Sequence, residues 1–431
     1  MDDAGWSSGP NGRRYRLGLW AVAALAVLAL AFALIPADGP GTAATAALRV
    51  PGTTSTWVTS WSASPQAAVQ GWGYSAGFDD QTVRDVIYPS VGGDQIRLEL
   101  TNVFGRVPLK VGRVTVAVEG PRGALGGPVY PVTFSGRASV QIPAGAQLLS
   151  DPVAMPVAAQ RELTVSIYLP SRTGPATFHD DAQQITWISG RGDHTAATSG
   201  RSFIIPDSSW YYLSGLMVRS PTAVGTVVAF GDSITDGYQS SIGTNSRWPN
   251  DLARRLDAQV GGPTLAVADE GISGNRVLQS SPMFGVSAEA RFERDALDVP
   301  GVRDIIVLEG INDLGFGGGA HVSAAQLIAG YRRLIAMAHA RGLKIFGATI
   351  LPYQGAGYYT VAGEAKREAV NTWIRTSGAF DGVIDFDAVM ADPGDPLRLN
   401  PAYNFGDNLH PNDAGYEAMA SAINLQMLGA T

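Results

Sequence analysis

At residues 226–237 the chain reads Thr226-Val-Val-Ala-Phe-Gly-Asp-Ser-Ile-Thr-Asp-Gly237. The first five residues are apolar or β-branched, which predicts a buried strand. Gly231 ends this strand, and Asp232 and Ser233 are residue types that cap a following helix. Ser233 is therefore expected at the carboxyl end of a strand, where open α/β sheets place their chemistry. The alternative is that Ser233 only caps a turn, so the choice depends on the rest of the chain.

After Pro221, short apolar runs alternate with longer amphipathic segments. The apolar runs predict strands at residues 265–268, 304–308, 344–350 and 382–386. Apolar residues at helical spacing predict helices at residues 323–340, 364–376 and 413–428, and one more along Trp248, Leu252, Leu256 and Val260. Strands that alternate with helices indicate a parallel sheet covered on both faces. We therefore expect a three-layer α/β/α domain over residues 221–431.

Residues 51–220 follow a different pattern, with short runs of period two separated by Gly and Pro. Such runs occur at residues 82–88, 95–100, 113–118 and 163–168, and they predict an all-β sandwich of jelly-roll type. The linker near residues 219–222 is brief, so we expect the sandwich to dock on the next domain. Docking would let it contribute to substrate access, with some of its tryptophans in the interface.

Residues 1–50 have the composition of an export segment. Arginines at positions 13, 14 and 16 precede an unbroken apolar run over residues 17–35, and a small-residue tract with Ala44-Thr45-Ala46 follows. These features predict a signal peptide. The alternative is a retained membrane anchor, since the apolar run is nearly long enough to span a bilayer. Either way, we expect the rest of the chain to work outside the cytoplasm, secreted or at the cell surface.

The composition excludes several classes of protein. The chain has 431 residues, a net charge of −7 and no basic run beyond its first few residues, which argues against nucleic-acid binding. It has no cysteine, which excludes disulfides, thiolate metal sites and cysteine nucleophiles. We expect neither a cofactor nor a metal, so a chelator should leave the activity unchanged.

A serine nucleophile needs a base, and the base needs a third group to orient it. Of five histidines, His339 lies in a predicted helix and His321 follows a glycine run, so both are expected at the surface. His410 precedes the last predicted helix, with Asp407 three residues upstream, a spacing at which the carboxylate could bond the imidazole. The alternative for His410 is a residue of a capping loop.

Two strand-end loops offer donors for an oxyanion hole. Gly274, in the loop after the second strand, could bring its backbone N–H close to a substrate. Asn312, after the third strand, could offer a side-chain amide, and the backbone N–H of Ser233 would be a third donor. Glycine and asparagine are also common in turns, which is the alternative for both positions.

Four blocks of the chain together resemble the SGNH, or GDSL, hydrolases. They are Gly231-Asp-Ser-Ile-Thr235, Gly274, Gly310-Ile-Asn-Asp313 and Asp407-Asn-Leu-His-Pro411, in the family's order. The resemblance implies a flavodoxin-like α/β/α fold, a catalytic triad of Ser233, His410 and Asp407, and an oxyanion hole from Ser233, Gly274 and Asn312. The stretches 57–65 and 91–98 also look like the N-terminal β region of secreted actinobacterial members.

The function expected from this resemblance is extracellular ester hydrolysis through a covalent acyl-enzyme. The favoured substrates are short-chain acyl esters or O-acyl esters of carbohydrates. The alternatives are a GDSL lipase or phospholipase, an acyltransferase, and a non-catalytic carbohydrate-binding protein. We expect a small-molecule or polysaccharide ester as partner, no nucleic acid, and membrane contact only through an uncleaved N-terminal segment.

Several residues have two interpretations. Trp57, Trp61, Trp72, Trp187 and Trp210 could form a sugar-stacking platform, or fill the sandwich and its interface. His179 and His194, near three aspartates, could bind a metal, but solvated loop residues are the preferred interpretation. Tyr353, Tyr358 and Tyr359 could line a pocket or pack within their loop. Of two Gly-x-Ser-x-Gly patterns, the one at residues 5–9 precedes the apolar run of the export segment, and the one at residues 73–77 lacks the strand and helix that a nucleophile elbow requires.

Overall fold

Fifteen strands form the N-terminal part of the fold in the computed structural model, which describes residues 55–259, 264–316 and 322–429. They are β1 (Thr56–Ser62), β2 (Gln66–Ala67), β3 (Gln81–Ile87), β4 (Gln95–Thr101), β5 (Leu109–Val111), β6 (Arg113–Val118), β7 (Tyr130–Val132), β8 (Val140–Ile142), β9 (Gln147–Leu149), β10 (Leu163–Leu169), β11 (Thr177–His179), β12 (Thr186–Arg191), β13 (Phe203–Asp207), β14 (Trp210–Tyr211) and β15 (Leu213–Ser220). Two antiparallel sheets, ordered β1-β15-β4-β9 and β13-β12-β3-β10-β6-β7, contain most of them. Alternating side chains of both sheets meet in one core, for example Leu98 and Val218 from the first and Val165 and Ile188 from the second. The predicted all-β region is confirmed.

The C-terminal part is built on a five-stranded parallel sheet. Its strands are β16 (Ala223–Gly231), β17 (Thr264–Gly271), β18 (Val302–Leu308), β19 (Lys344–Ala348) and β20 (Gly382–Ile384), and a small hairpin, β21 (Ala391–Asp392) with β22 (Asp395–Leu399), follows. The sheet order is β17-β16-β18-β19-β20, the flavodoxin-like order 2-1-3-4-5. In this order the chain reverses direction at β16, so the carboxyl end of β16 faces a crevice in which such folds bind ligands.

Within the described residues, eight α-helices accompany this sheet: α1 (Ser233–Asp236), α2 (Trp248–Asp257), α3 (Ala288–Phe292), α4 (Ile311–Gly315), α5 (Ala324–Ala340), α6 (Val361–Thr376), α7 (Phe386–Met390) and α8 (Asp413–Ala422). Successive residues of β16 point to opposite faces, so Val228 and Phe230 pack with α5 and α6, whereas Val227 and Ala229 pack with α2 and α8. Two cores therefore enclose the sheet, and the predicted three-layer architecture is confirmed.

Several element boundaries differ from the sequence-based prediction, and a capping residue explains two of the differences. The last predicted helix is interrupted, because α8 ends at Ala422 and Asn424 then caps a separate 3₁₀ turn, Leu425–Leu428. The fifth strand stops at Ile384, because the side chain of Asp385 accepts a hydrogen bond from the backbone N–H of Ala388 and starts α7.

The predicted export segment at residues 1–50 lies outside the described residues, as do Val260 and His321. None of the helices that the structure describes has both the length and the apolar character needed to cross a membrane.

The sandwich and the α/β part belong to one compact unit, Gly52–Thr431. Only Pro221 and Thr222 separate β15 from β16. The backbone N–H of Thr59 in β1 donates to Thr226 Oγ1 in β16 at 3.0 Å, and the backbone N–H of Val267 in β17 donates to Ser90 Oγ at 2.9 Å. Backbone groups of the parallel sheet thus hydrogen-bond with the sandwich, so the two parts are docked against each other.

Candidate active site

Ser233 is the first residue of α1, at the sharp turn that follows β16. Asp232 caps this short helix by accepting a hydrogen bond from the backbone N–H of Ile234 at 3.0 Å. Gly231 allows the turn, because a Cβ atom there would lie 2.2 Å from the carbonyl oxygen of Leu308 in β18. The Ser233 side chain is consequently held at the crevice between β16 and its neighbours.

Ser233, His410 and Asp407 form one continuous hydrogen-bonded chain. Ser233 Oγ lies 3.0 Å from His410 Nε2, and His410 Nδ1 lies 2.6 Å from Asp407 Oδ2. The other oxygen of Asp407 accepts backbone N–H bonds from Leu409 and His410, both at 2.9 Å. Partial burial acts to raise the pKa of Asp407, but the side-chain and backbone bonds from His410 outweigh it and lower the pKa to about 2. The Asp407 carboxylate is therefore ionised at any ordinary pH and keeps the Nδ1 proton facing it.

The three expected oxyanion donors lie on the same side of this chain. Gly274 has φ of +75°, and a Cβ atom there would lie 2.3 Å from the Phe284 ring, so glycine is required. Asn312 is buried in α4, where its Nδ2 donates to the carbonyl of Asn275 at 3.0 Å and its Oδ1 accepts from the Tyr358 hydroxyl at 3.3 Å. These two bonds fix the amide plane and leave the second Nδ2 hydrogen for a ligand.

Asn312→Ala is expected to lower kcat by a factor of about 10² to 10³, because one preorganised donor to the developing oxyanion is lost. KM should change little, since the ground-state carbonyl carries less negative charge than the intermediate. Steady-state kinetics on p-nitrophenyl acetate measure both constants. A loss that appears mainly as a higher KM would instead make Asn312 a residue that binds the substrate in its ground state.

A cavity of about 380 Å³ opens over Ser233 and His410. Gly274 and Asn312 line it together with Ser233 and His410, the predicted nucleophile and base. Tyr238 stands edge-on to the His410 ring, with the centroids 4.8 Å apart. A carbonyl carbon at Ser233 Oγ would thus share one cavity with the predicted base and the expected oxyanion donors, as acyl transfer requires.

The family of GDSL-like lipases and acylhydrolases matches residues 229–418 of this chain. Residues 229–418 form a GDSL-like lipase/acylhydrolase domain. With this match the protein is a carboxylic ester hydrolase by class, and the predicted SGNH resemblance is confirmed for this domain.

Solved structures similar to the chain include a GDSL-like lipase from Bacteroides thetaiotaomicron (20% identity, 48% of this chain and 90% of the other, TM-score 0.37). A catalytic mutant of an acetylxylan esterase from Geobacillus stearothermophilus is also similar (22% identity, 48% and 95%, TM-score 0.38). A third is a G-D-S-L family protein from Desulfitobacterium hafniense (21% identity, 46% and 97%, TM-score 0.36). No match was found among curated proteins.

The sandwich supplies part of the wall of the cavity in the GDSL-like domain. Trp72, Asp180 and Asp181 line it from the sandwich side. Burial and the neighbouring Asp181 raise the pKa of Asp180 to about 7, and they outweigh the opposing effect of His179. Sequence reasoning missed both aspartates as site residues, since nothing local distinguishes them from other loop carboxylates.

Aromatic side chains form most of the remaining wall. Phe284 and Phe316 stack with centroids 5.1 Å apart, and Tyr358 meets Phe316 edge-on at 5.4 Å. Of the three tyrosines with two interpretations, Tyr358 lines the cavity, whereas Tyr353 is buried against it. The GDSL-like domain therefore presents a largely apolar surface beside the oxyanion donors.

Arg291 is a buried side chain that bonds the ends of β16 and β17 and the loop that contains Gly274. Its fully buried guanidinium donates from Nε to Asn275 Oδ1 at 3.0 Å and to the carbonyls of Glu270 and Gly231, each at 2.8 Å. It also donates to Ser64 Oγ of the sandwich at 2.9 Å. One side chain thus ties the ends of β16 and β17 to the loop beside the oxyanion hole.

The preferred interpretation of His179 as a solvated loop residue is wrong. His179 ends β11, is 4% exposed and bonds to Asp236 of the GDSL-like domain. Among the described residues, no cluster of His, Asp or Glu side chains is placed to hold a metal ion. The surface prediction for His339 holds, since its ring is half exposed and pairs with Asp381.

Three other residues with two interpretations, Trp61, Trp210 and Ser75, are buried within the fold and do not line the cavity. Trp61 and Trp210 are buried and pack edge to face at 4.9 Å, so they fill the fold rather than form a platform. Ser75 is buried in a turn of the sandwich, where its hydroxyl donates to the carbonyl of Val69 at 2.6 Å. The pattern at residues 5–9 lies outside the described residues.

Proposed function

We propose that the protein is a serine esterase that cleaves short-chain acyl esters, with O-acyl esters of carbohydrates as the favoured class. The observation that carries this proposal is the unbroken chain from Ser233 through His410 to Asp407 at the floor of an open cavity. This chain supplies a nucleophile, a base with a free lone pair on Nε2, and a carboxylate that stabilises the imidazolium.

In this mechanism Ser233 Oγ attacks the acyl carbonyl while His410 Nε2 takes the hydroxyl proton. The C–O bond of the ester breaks as His410 returns the proton to the leaving alkoxide, and the acyl group remains on Ser233. Water then attacks the acyl-enzyme with His410 as base, and the carboxylic acid leaves. The backbone N–H groups of Ser233 and Gly274 and the amide of Asn312 stabilise the negative oxygen in both steps.

The lining of the cavity supports a small acyl group and a polar alcohol. Its aromatic wall, which includes Phe284 and Phe316, suits an acyl group or the face of a sugar ring. Asp180 and Asp181 can accept hydrogen bonds from hydroxyl groups, and the charge that Asp180 carries above pH 7 disfavours anionic headgroups such as those of phospholipids.

A series of p-nitrophenyl esters of increasing acyl length, run beside acetylated xylan, tests the substrate class. We expect kcat/KM to be highest for the shortest acyl chains and acetate to be released from the polysaccharide. Higher activity on long chains, with a rise at an oil–water interface, would support a lipase instead. Formation of a new ester when an acceptor alcohol is added would support an acyltransferase.

We also propose that the protein acts outside the cytoplasm, either secreted or held at the cell surface. The support is the sequence of residues 1–50, in which arginines precede the apolar run 17–35 and a small-residue tract. Fractionation of cells, with mass spectrometry of the N-terminus, tests this proposal. Full-length protein in the cytoplasmic fraction alone would contradict it.

A further inference from the structure

His179 is a buried side chain of the sandwich that contacts the GDSL-like domain directly. Its Nδ1 lies 3.0 Å from the carbonyl oxygen of Ser64, and its Nε2 lies 3.0 Å from Asp236 Oδ1. A carbonyl oxygen and a carboxylate oxygen can only accept hydrogen bonds, so both ring nitrogens must donate. The ring is then an imidazolium, and His179 with Asp236 forms an ion pair in which both side chains are at most 4% exposed.

Asp236 connects this ion pair to the catalytic machinery. It is the last residue of α1, the helix that starts at Ser233. Its second oxygen, Oδ2, accepts from the backbone N–H of Ser273 at 3.0 Å and from Ser273 Oγ at 3.2 Å. Ser273 immediately precedes Gly274, so the same carboxylate holds the nucleophile helix and the loop that carries an oxyanion donor.

We propose that His179 is a positioning residue for ester hydrolysis. It lies in the sandwich and holds in place the loop of the GDSL-like domain that carries an oxyanion donor. As an imidazolium, it holds Asp236 in the rotamer that receives Ser273, and Ser273 in turn fixes the peptide that ends in the Gly274 N–H. This inference rests on the proposed function and extends it: the sandwich completes the catalytic unit. His179 itself does not touch the substrate.

The charges around His179 favour its protonated form. Burial lowers the pKa of His179, but the charge of Asp236 and the hydrogen bonds to Asp236 and Ser64 outweigh that effect and raise it to about 9. The other charged or titratable groups that face the ring come from the loop after β11, from β17 and from the start of α2: they are Asp180, Asp181, Asp269 and Arg247. Arg247 lowers the pKa, and the aspartates oppose it.

Because the pKa of His179 is raised, catalysis is expected to depend on pH. Because the folded-state pKa is raised, His179 is protonated and holds Asp236 at every pH below about 9. When the pH rises through that value, the ring loses one proton and can no longer donate to both partners. The catalytic constant should therefore fall on the alkaline side, over a range in which circular dichroism still shows folded protein.

His179→Gln in the full-length protein tests the proposal. We expect kcat on p-nitrophenyl acetate to fall about 10- to 100-fold, because a misplaced oxyanion donor carries a cost of this order, while KM stays within about twofold. The alkaline decline of kcat should also disappear from the variant. His339→Gln, which breaks the exposed His339–Asp381 pair, is the matched control and should leave both constants and the pH profile unchanged.

A second variant covers the case in which His179→Gln does not fold. Ser273→Ala removes the hydroxyl bond to Asp236 on a half-buried loop, together with the interaction of that hydroxyl with Asp181, and should lower kcat about 3- to 10-fold at constant KM. Unchanged kcat in either folded variant, a loss confined to KM, or a wild-type kcat without an alkaline decline would overturn the proposal. If Ser233→Ala keeps full activity, the proposed function itself fails; if only Ser233→Ala loses activity, this inference alone fails.

Discussion

Ser233→Ala is expected to reduce ester hydrolysis by a factor on the order of 10⁴ or more, to near the uncatalysed background. The hydroxyl oxygen lies 3.0 Å from the Nε2 atom of His410, the predicted base, so its removal deprives that base of the proton it would take. The fold should persist, because Asp232 rather than the Ser233 side chain caps α1. Residual activity is measured with p-nitrophenyl acetate.

The matched control is Ser75→Ala, a second buried serine in a Gly-x-Ser-x-Gly pattern. Its hydroxyl bonds only a turn carbonyl in the sandwich, so its replacement should leave kcat/KM within about twofold. A serine-directed phosphonate should label Ser233 in the wild type and in this control. Labelling at Ser75, or activity that survives in Ser233→Ala, would contradict the assignment of the nucleophile.

Asp407→Asn is expected to lower kcat by a factor of about 10⁴, comparable to the effect of the same change in other serine triads. The asparagine can still accept the backbone bonds of Leu409 and His410 through Oδ1, but it then presents an NH₂ group to His410 Nδ1. The imidazole must turn to the tautomer that carries its proton on Nε2, and this tautomer cannot accept a proton from Ser233.

KM should stay nearly constant in Asp407→Asn, because the carboxylate faces the histidine rather than the cavity. Asp381→Asn provides the comparison, since Asp381 also bonds a histidine, His339, but on the surface of α5. That variant should retain full activity. A loss of less than tenfold in Asp407→Asn would remove Asp407 from the proposed triad and leave His410 oriented by its other contacts.

The sequence predicted the layers of the fold because both kinds of periodicity are local. A strand can be predicted from the apolar residues at 226–230, and a helix from the spacing of apolar residues at 323–340, without knowing which elements they pack against. The sequence also predicted that Ser233, Gly274 and Asn312 lie close together, because the carboxyl ends of parallel strands meet at one edge of the sheet. The structure brings these residues to one cavity with His410, and Asp407 bonds the Nδ1 atom of that histidine.

The contribution of the sandwich could not be predicted in the same way. His179 and Asp236 are separated by 57 residues, and Arg291 and Ser64 by 227, so no local pattern relates them. An isolated histidine beside aspartates is more typical of a solvated loop than of a buried ion pair. His179 became part of a buried ion pair because the sandwich docks on the parallel sheet. Asp180 and Asp181 reached the cavity for the same reason.

The two aspartates have a further consequence, for the end of the catalytic cycle. Hydrolysis converts a neutral ester into a carboxylic acid, which ionises at neutral pH within the same cavity as Asp180 and Asp181. Like charges repel, so we expect an ionised Asp180 to weaken the binding of the acid product but not that of the uncharged ester. Because the pKa of Asp180 is about 7, the repulsion between Asp180 and the carboxylate product increases as the medium becomes alkaline. Accumulated acetate should consequently slow turnover less at pH 8 than at pH 6.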